Sequence, residues 1–257
     1  MEFIIIPIVA FLAAILTFFS GFGLGTILTP VFMVFFPVEL AIALTGVVHF
    51  FNNIFKLILV GKNADKKVLI RFGIPAVIAA LIGSWVLVSI PTSTPLYTYT
   101  LFEKNFEVGA VKFIISILLI IFALMELIPY FKKLEFSKDK LPLGGVLSGF
   151  FGGLSGNQGA LRSAFLIKAG LSKEAFIGTA VVVSTFVDFT RLGVYASNIS
   201  SHRITDNLLI ILAGASAAIL GAFIGNKLLK KITIDFIQTL VAVMLIVLSI
   251  CLGFGIL

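Results

Sequence analysis

Charge is scarce in this chain. Asp, Glu, Lys and Arg make up 12% of its 257 residues, against about a quarter in a soluble domain. Hydrophobic residues make up 60%, and the mean hydropathy is +1.18. A chain with so few charges cannot cover itself with a water-facing shell, so it is read as dissolved in lipid. Cysteine is also nearly missing. Cys251 stands alone in the last apolar run, which excludes a disulfide framework and a cysteine metal site. No GxxxxGK[ST] segment occurs, so nothing provides for a nucleotide-driven pump. The N-terminal MEFIIIPIV has neither a positive n-region nor a cleavage site and is not read as a removable signal. No polar stretch is long enough to stand apart as a soluble module. No cofactor and no metal are expected.

What is present is a series of apolar runs. Full-length candidate spans are 41–60, 72–90, 107–128, 175–196, 207–225 and 236–256. Two further stretches, 3–36 and 143–169, are apolar but broken in the middle by glycines. In the second, 13 residues precede the break at Ser155 and 11 run from Gly159 to Ala169. A bilayer crossing needs roughly 20 residues at ~1.5 Å each. Each broken stretch therefore reads as a hairpin of two half-helices meeting at an unwound tip. Broken helices at matching places in two halves of a chain point to a transporter's substrate site.

The net charge of +7 does not point to nucleic acid, because most Lys and Arg lie in short loops between apolar runs. Loop 61–71 holds Lys62, Lys66, Lys67 and Arg71; loop 129–141 holds Lys132, Lys133, Lys138 and Lys140; loop 226–235 holds Lys227, Lys230 and Lys231. By charge these three are cytoplasmic. Loop 91–106, polar and aromatic, and loop 197–206 then face outward. Three apolar stretches lie between the second and third cytoplasmic loops, an odd number. The parity is restored if 143–169 enters and leaves on one side. Treating 3–36 alike places both termini outside a cell membrane.

A shift of 135 residues superposes the halves without gaps, pairing Ser20 with Ser155, Gly21 with Gly156, Glu39 with Glu174 and Leu57 with Leu192. It also carries Lys56 onto Arg191. The expected fold is an all-α polytopic membrane protein of two inverted repeats. Each is a broken-helix hairpin plus three transmembrane helices, residues 1–128 and 142–257, joined by a cytoplasmic linker at 129–141. Three spans is an odd number, so the second half runs inverted about a pseudo-two-fold axis in the membrane plane.

Candidate binding residues cluster at the tips. Ser155, Asn157, Gln158, Arg162 and Ser163 crowd together with Gly156 and Gly159. An unpaired arginine in hydrocarbon costs at least ~2.5–3.5 kcal/mol on insertion scales, so these groups face protein or water. A half-helix starting near Gly159 aims free N–H groups and a positive dipole end at the tip, where Arg162 lies in its first turn. Something negative belongs between them, which suggests an anion site. The alternative is that Arg162 pairs with a carboxylate or with freed carbonyls. The first tip offers the amides of Gly21, Gly23 and Gly25, then Thr26 and Thr29, with Pro30 freeing a carbonyl; the competing reading is a kinked helix packed through small residues.

In span 41–60, His49, Asn52, Asn53 and Lys56 fall on one helical face. The related span carries Ser184, Thr185, Asp188 and Arg191. Lys56, Asp188 and Arg191 are candidates for gating or coupling. The i, i+3 pair Asp188–Arg191 serves equally well as a structural ion pair. His202, in an outer loop, is given no role. A GxxxG pair at Gly221 and Gly225 serves packing within or between subunits, and the oligomeric state is left open.

GFGLGTILTPVF, the span after it, and GLSGNQGALRSAFL resemble the sulfite exporter TauE/SafE family of membrane permeases over nearly the whole chain. Phe165 stands where the aligned first half has Pro30. The resemblance implies passage of sulfite, sulfonates or related sulfur-containing anions. The expected function is a secondary transporter, an exporter of such an anion driven by a proton or sodium gradient through alternating access. Its partners are the small anion, the coupling ion and the lipid bilayer. An anion channel is the first alternative. An intramembrane serine hydrolase is the remote one, since Gly153-Leu154-Ser155-Gly156 fits GxSG with His49 as the only histidine in a span. A membrane scaffold would have no need of polar tips at depth.

Overall fold

The computed structural model describes residues 1–18, 23–91, 94–132, 135–198, 204–228 and 234–256. Ser20, Gly21, Lys133, His202, Lys230 and Lys231 lie outside the described residues. The chain is an all-α polytopic membrane protein, with one small β-hairpin among the described residues. Its helices are α1 (Glu2–Thr17), α2 (Leu24–Phe35), α3 (Val38–Val60), α4 (Lys66–Ser89), α5 (Ala110–Leu127), α6 (Leu141–Ser155), α7 (Gly159–Leu166), α8 (Lys173–Asn198), α9 (Leu208–Leu228) and α10 (Ile234–Gly253). Among the described residues, four stretches are long and apolar enough to cross a bilayer: Val38–Asn63, Lys66–Ser89, Lys173–Asn198 and Leu208–Lys227.

Local chemistry sets the boundaries. Pro37 precedes α3, and Glu39 sits in its first turn, where a negative charge suits the helix dipole. Asp65 caps α4 by accepting the Val68 N–H at 2.9 Å. Pro75 cannot donate to the carbonyl four residues back. The turn before it, Leu69–Gly73, is accordingly widened to a π-helix, with the Ile74 N–H reaching Leu69. α4 thus starts six residues before the expected 72. α6 ends at Ser155 because Gly156 takes φ +79°, a left-handed value that closes a helix and suits glycine.

The region from 91 to 106, expected to be an outward-facing loop, contains most of an antiparallel hairpin. β1 (Pro95–Leu101) pairs with β2 (Lys104–Gly109). The span expected from 107 therefore begins as helix only at Ala110, since Glu107–Gly109 belong to the strand. Tyr97 and Tyr99 donate to the carbonyls of Gly253 and Phe254, both at 2.6 Å, and so strap the hairpin to the end of α10.

The helices pair in a pattern that survives exchange of the two halves. α1 lies along α9, and α6 lies along α4. α3 crosses α8, and α5 lies along α10. Backbones touch in the first two pairs: a Cβ on Gly149 of α6 would stand 2.0 Å from the Ala76 carbonyl, and one on Gly221 of α9 would stand 2.2 Å from the Phe11 carbonyl. Small residues permit this approach, and close packing replaces the missing hydrophobic drive in lipid. Outward-facing large apolar side chains such as Ile58, Ile78 and Leu209 are exposed, as a lipid-facing surface requires.

Candidate functional site

The two interrupted hairpins meet at their tips. A Cβ on Gly25 would lie 3.1 Å from the Gly156 carbonyl, and a Cβ on Gly23 would lie 3.3 Å from His49 Nε2. Among the described residues, neither N-cap residue, Gly23 of α2 or Gln158 of α7, makes a side-chain capping bond. Gly23 and Leu24 line a cavity of about 30 Å³, so the α2 N-terminus opens into it.

The crossing of α3 and α8 supplies the polar walls. Both stripes turn inward because only there can they find partners; outside is hydrocarbon. His49, Asn53 and Lys56 from α3, Ser184 from α8 and Arg162 from α7 all line the cavity, together with Phe18, Phe176 and Ile177. Arg162 Nη1 donates to Ser184 Oγ. The Lys56 ammonium lies over the Phe18 ring, 5.2 Å from its centre, an attraction of the ring's negative face for a cation.

Asp188 is the hub between the halves. Its Oδ2 accepts from His49 Nδ1 at 2.6 Å and from Asn53 Nδ2 at 2.8 Å. Its Oδ1 accepts from Arg191 Nε at 3.0 Å, with Nη2 at 2.9 Å. A carboxylate at 2.6 Å fixes a proton on His49 Nδ1, leaving Nε2 toward Gly23 and the cavity. The i, i+3 ion pair is therefore one side of a larger knot whose other side comes from α3.

Among the described residues, the buried side chains of ionisable type are three basic ones, Lys56, Arg162 and Arg191, one carboxylate, Asp188, and His49. Buried charge is costly unless paired. The surplus is positive, and two of the three basic side chains line the cavity.

Beyond the cavity, Arg191 packs closely on the second tip and on α3. A Cβ on Gly156 would lie 2.8 Å from Arg191 Nη1, and one on Gly46 would lie 3.3 Å from Arg191 Cζ. Tyr195 donates to the Gly153 carbonyl. Thr29, Thr45, Asn52 and Asn157 are buried here or nearby, their side-chain polar atoms without a protein partner among the described residues.

Gly23, His49, Asn53, Lys56, Arg162 and Ser184 thus gather at one cavity. Gly25, Thr29, Gly156 and Arg191 gather beyond it. Thr26, Asn52, Asn157, Gln158 and Gly159 are buried without lining the cavity, and Ser163 is half-buried on α7. Ser155 donates to the Phe151 carbonyl at 2.9 Å while His49 turns to Asp188, so the two groups of a serine hydrolase reading are engaged elsewhere. Thr45 and Tyr195 were not among the sequence candidates. Thr45 lies one helical turn before His49 and Tyr195 one turn after Arg191, so extending each stripe by one turn would have found them.

A lipid-facing helical shell around a buried, cation-rich polar core defines a membrane permease. Residues 6–252 match the family model of the sulfite exporter TauE/SafE. The chain belongs to that family, one of membrane permeases for sulfite or related anions. No curated protein and no solved structure matches it.

Proposed function

We propose that the chain is a secondary transporter, an exporter of sulfite or an organosulfonate, that holds its anion between the two glycine-rich tips. The surplus of buried positive charge carries this reading: Lys56 and Arg162 face one small cavity, and a doubly charged anion would balance it. Arg162 offers a fork of donors suited to an oxyanion, and Lys56 a point charge. Gly23 and Leu24 bring the uncapped α2 terminus, which favours negative charge. A cavity of about 30 Å³ holds roughly two waters, at ~10–15 Å³ each. That size favours sulfite over a bulkier organosulfonate.

Movement follows from two inverted repeats. The interchanging helix pairs support them: α1 on α9 matches α6 on α4, while α3–α8 and α5–α10 map onto themselves. The 135-residue shift carries Lys56 to Arg191, Asn53 to Asp188 and Ala180 to Thr45. The packed region around Arg191 is then the cavity's own counterpart in collapsed form. Rocking one repeat against the other opens that region and shuts the first. Phe176 and Ile177 line the cavity about one turn from Lys173, and the neighbouring Gly178 packs on Val60, Asn63 and Ala64, which supports a state that faces the cytoplasm, with both termini outside. The close packing of Arg191 on Gly156 and Gly46 favours a carrier over a channel. A proton or sodium gradient supplies the drive, with His49 and Asp188 as the groups placed to sense a proton.

Proteoliposomes loaded with unlabelled sulfite test this. A carrier gives saturable uptake of external labelled sulfite, accelerated by the internal load. Uptake that rises linearly with concentration and ignores the internal load would mean a channel.

A further inference from the structure

Away from the polar core, two neighbouring depressions flank the widened turn of α4. One is a groove of about 340 Å³ between α4 and α8, walled by apolar side chains that include Ile70, Ile74, Ile78, Val182 and Phe186. The other, about 570 Å³, lies at the start of α4 and is lined by Asp65, Lys67, Arg71, Lys138 and the backbone around Gly170. Ile70 lines both, so the two lie side by side.

The charge in the second depression is unbalanced. Lys67, Arg71 and Lys138 are exposed and make no ion pair among the described residues. Asp65, the one acid, is occupied in capping α4 through the Val68 N–H. Lys138 Nζ folds over Gly170, whose φ is +74° and where a Cβ would lie 2.5 Å away; a side chain there would push the ammonium out of the pocket.

Depth fixes the chemistry of the occupant. Lys66 opens a 24-residue apolar helix, so the basic pocket lies at the bilayer edge. From Ile70 to Ile78 the groove descends eight residues, about 12 Å, into hydrocarbon. A cationic cup at the interface above an apolar furrow matches a molecule with a phosphate head and an acyl chain. We propose that this is a binding site for an anionic glycerophospholipid, its phosphate held by Lys67, Arg71 and Lys138 and one chain laid along α4 and α8. Arginine takes phosphate by two parallel bonds and lysine by point charge, and basic clusters at the membrane edge recognise anionic lipid. The site is separate from the anion cavity and holds whether or not the transport reading does.

The full chain, purified in neutral detergent, is mixed with phosphatidylglycerol, with phosphatidylcholine of the same chains, or with water-soluble glycerol 3-phosphate. Bound lipid is counted by native mass spectrometry and melting is followed in parallel. Phosphatidylglycerol is expected to stay bound and raise the melting temperature by about 2 °C or more, while the other two do neither. The triple variant K67Q/R71Q/K138Q loses that preference. The variant I74W/I78W fills the groove at two exposed positions and weakens phosphatidylglycerol binding about tenfold, with lipid-free melting unchanged. Equal effects of phosphatidylcholine, an equal effect of glycerol 3-phosphate, or wild-type phosphatidylglycerol binding by either variant would overturn the assignment. If I74W/I78W melts early on its own, Val182→Phe replaces it as the groove-filling probe under the same criterion.

Discussion

Asp188→Asn removes the only buried carboxylate among the described residues while keeping its shape. The side chain accepts from His49, Asn53 and Arg191 at 2.6, 2.8 and 3.0 Å. An asparagine has one acceptor oxygen, so its amide must turn N–H groups toward either Arg191 or the His49 Nδ1 proton. One donor then faces another, and Arg191 loses its counter-charge at 1% exposure. Breaking a buried pair by removing one partner costs about 3–5 kcal/mol. Polar contacts in membrane proteins often measure less, about 1–2 kcal/mol, so about 2 kcal/mol is a fair lower figure. At about 2–4 °C per kcal/mol for a chain of this size, melting in detergent should fall by at least about 4 °C. The double variant Asp188→Asn with Arg191→Met removes the stranded cation and should regain part of that loss, the non-additive signature of residues in contact. Melting within about 1 °C of the parent, or a double variant as unstable as the sum of the singles, would refute Asp188 as the link between the halves.

Gly156→Ala places a side chain at φ +79° and 2.8 Å from Arg191 Nη1; the conformation alone costs about 1–2 kcal/mol, so melting should drop by roughly 2–8 °C. Gly170→Ala, at φ +74° beside only the flexible Lys138, should fall less, and equal drops would mean that the Arg191 contact is immaterial. In a Cys251→Ser background, cysteines at Ala180 and Val181 should react with an impermeant thiol reagent from the cytoplasm and be protected by sulfite. A cysteine at Thr45 should react only from outside and only during turnover. Cysteines replacing Lys66 and Lys138 should label from the cytoplasm and one replacing Thr98 from outside; the reverse pattern would contradict the inverted arrangement.

The break at Gly156 was legible because a glycine cluster inside an apolar run leaves each flank too short to cross a bilayer. The polar faces of α3 and α8 were legible because helical periodicity alone puts 49, 52, 53 and 56 together. That these faces meet was not: His49 and Asp188 are 139 residues apart, and their contact depends on how two helices cross. The i, i+3 spacing therefore exposed the Asp188–Arg191 pair and hid the rest of the knot. The hairpin from 95 to 109 escaped for another reason. Its turn is Phe102-Glu103, both at positive φ, +50° and +61°, where Asn or Gly would ordinarily mark such a turn. The early start of α4 was hidden by its basic first turn, which charge assigns to a loop although Asp65 caps a helix there.

Calorimetric titration of sulfite into the purified protein tests the central claim most directly. Arg162→Gln and Lys56→Gln should each weaken binding by tenfold or more, about 1.4 kcal/mol, with the fold intact by circular dichroism. Wild-type affinity in both variants would show that the buried positive surplus does not hold the anion.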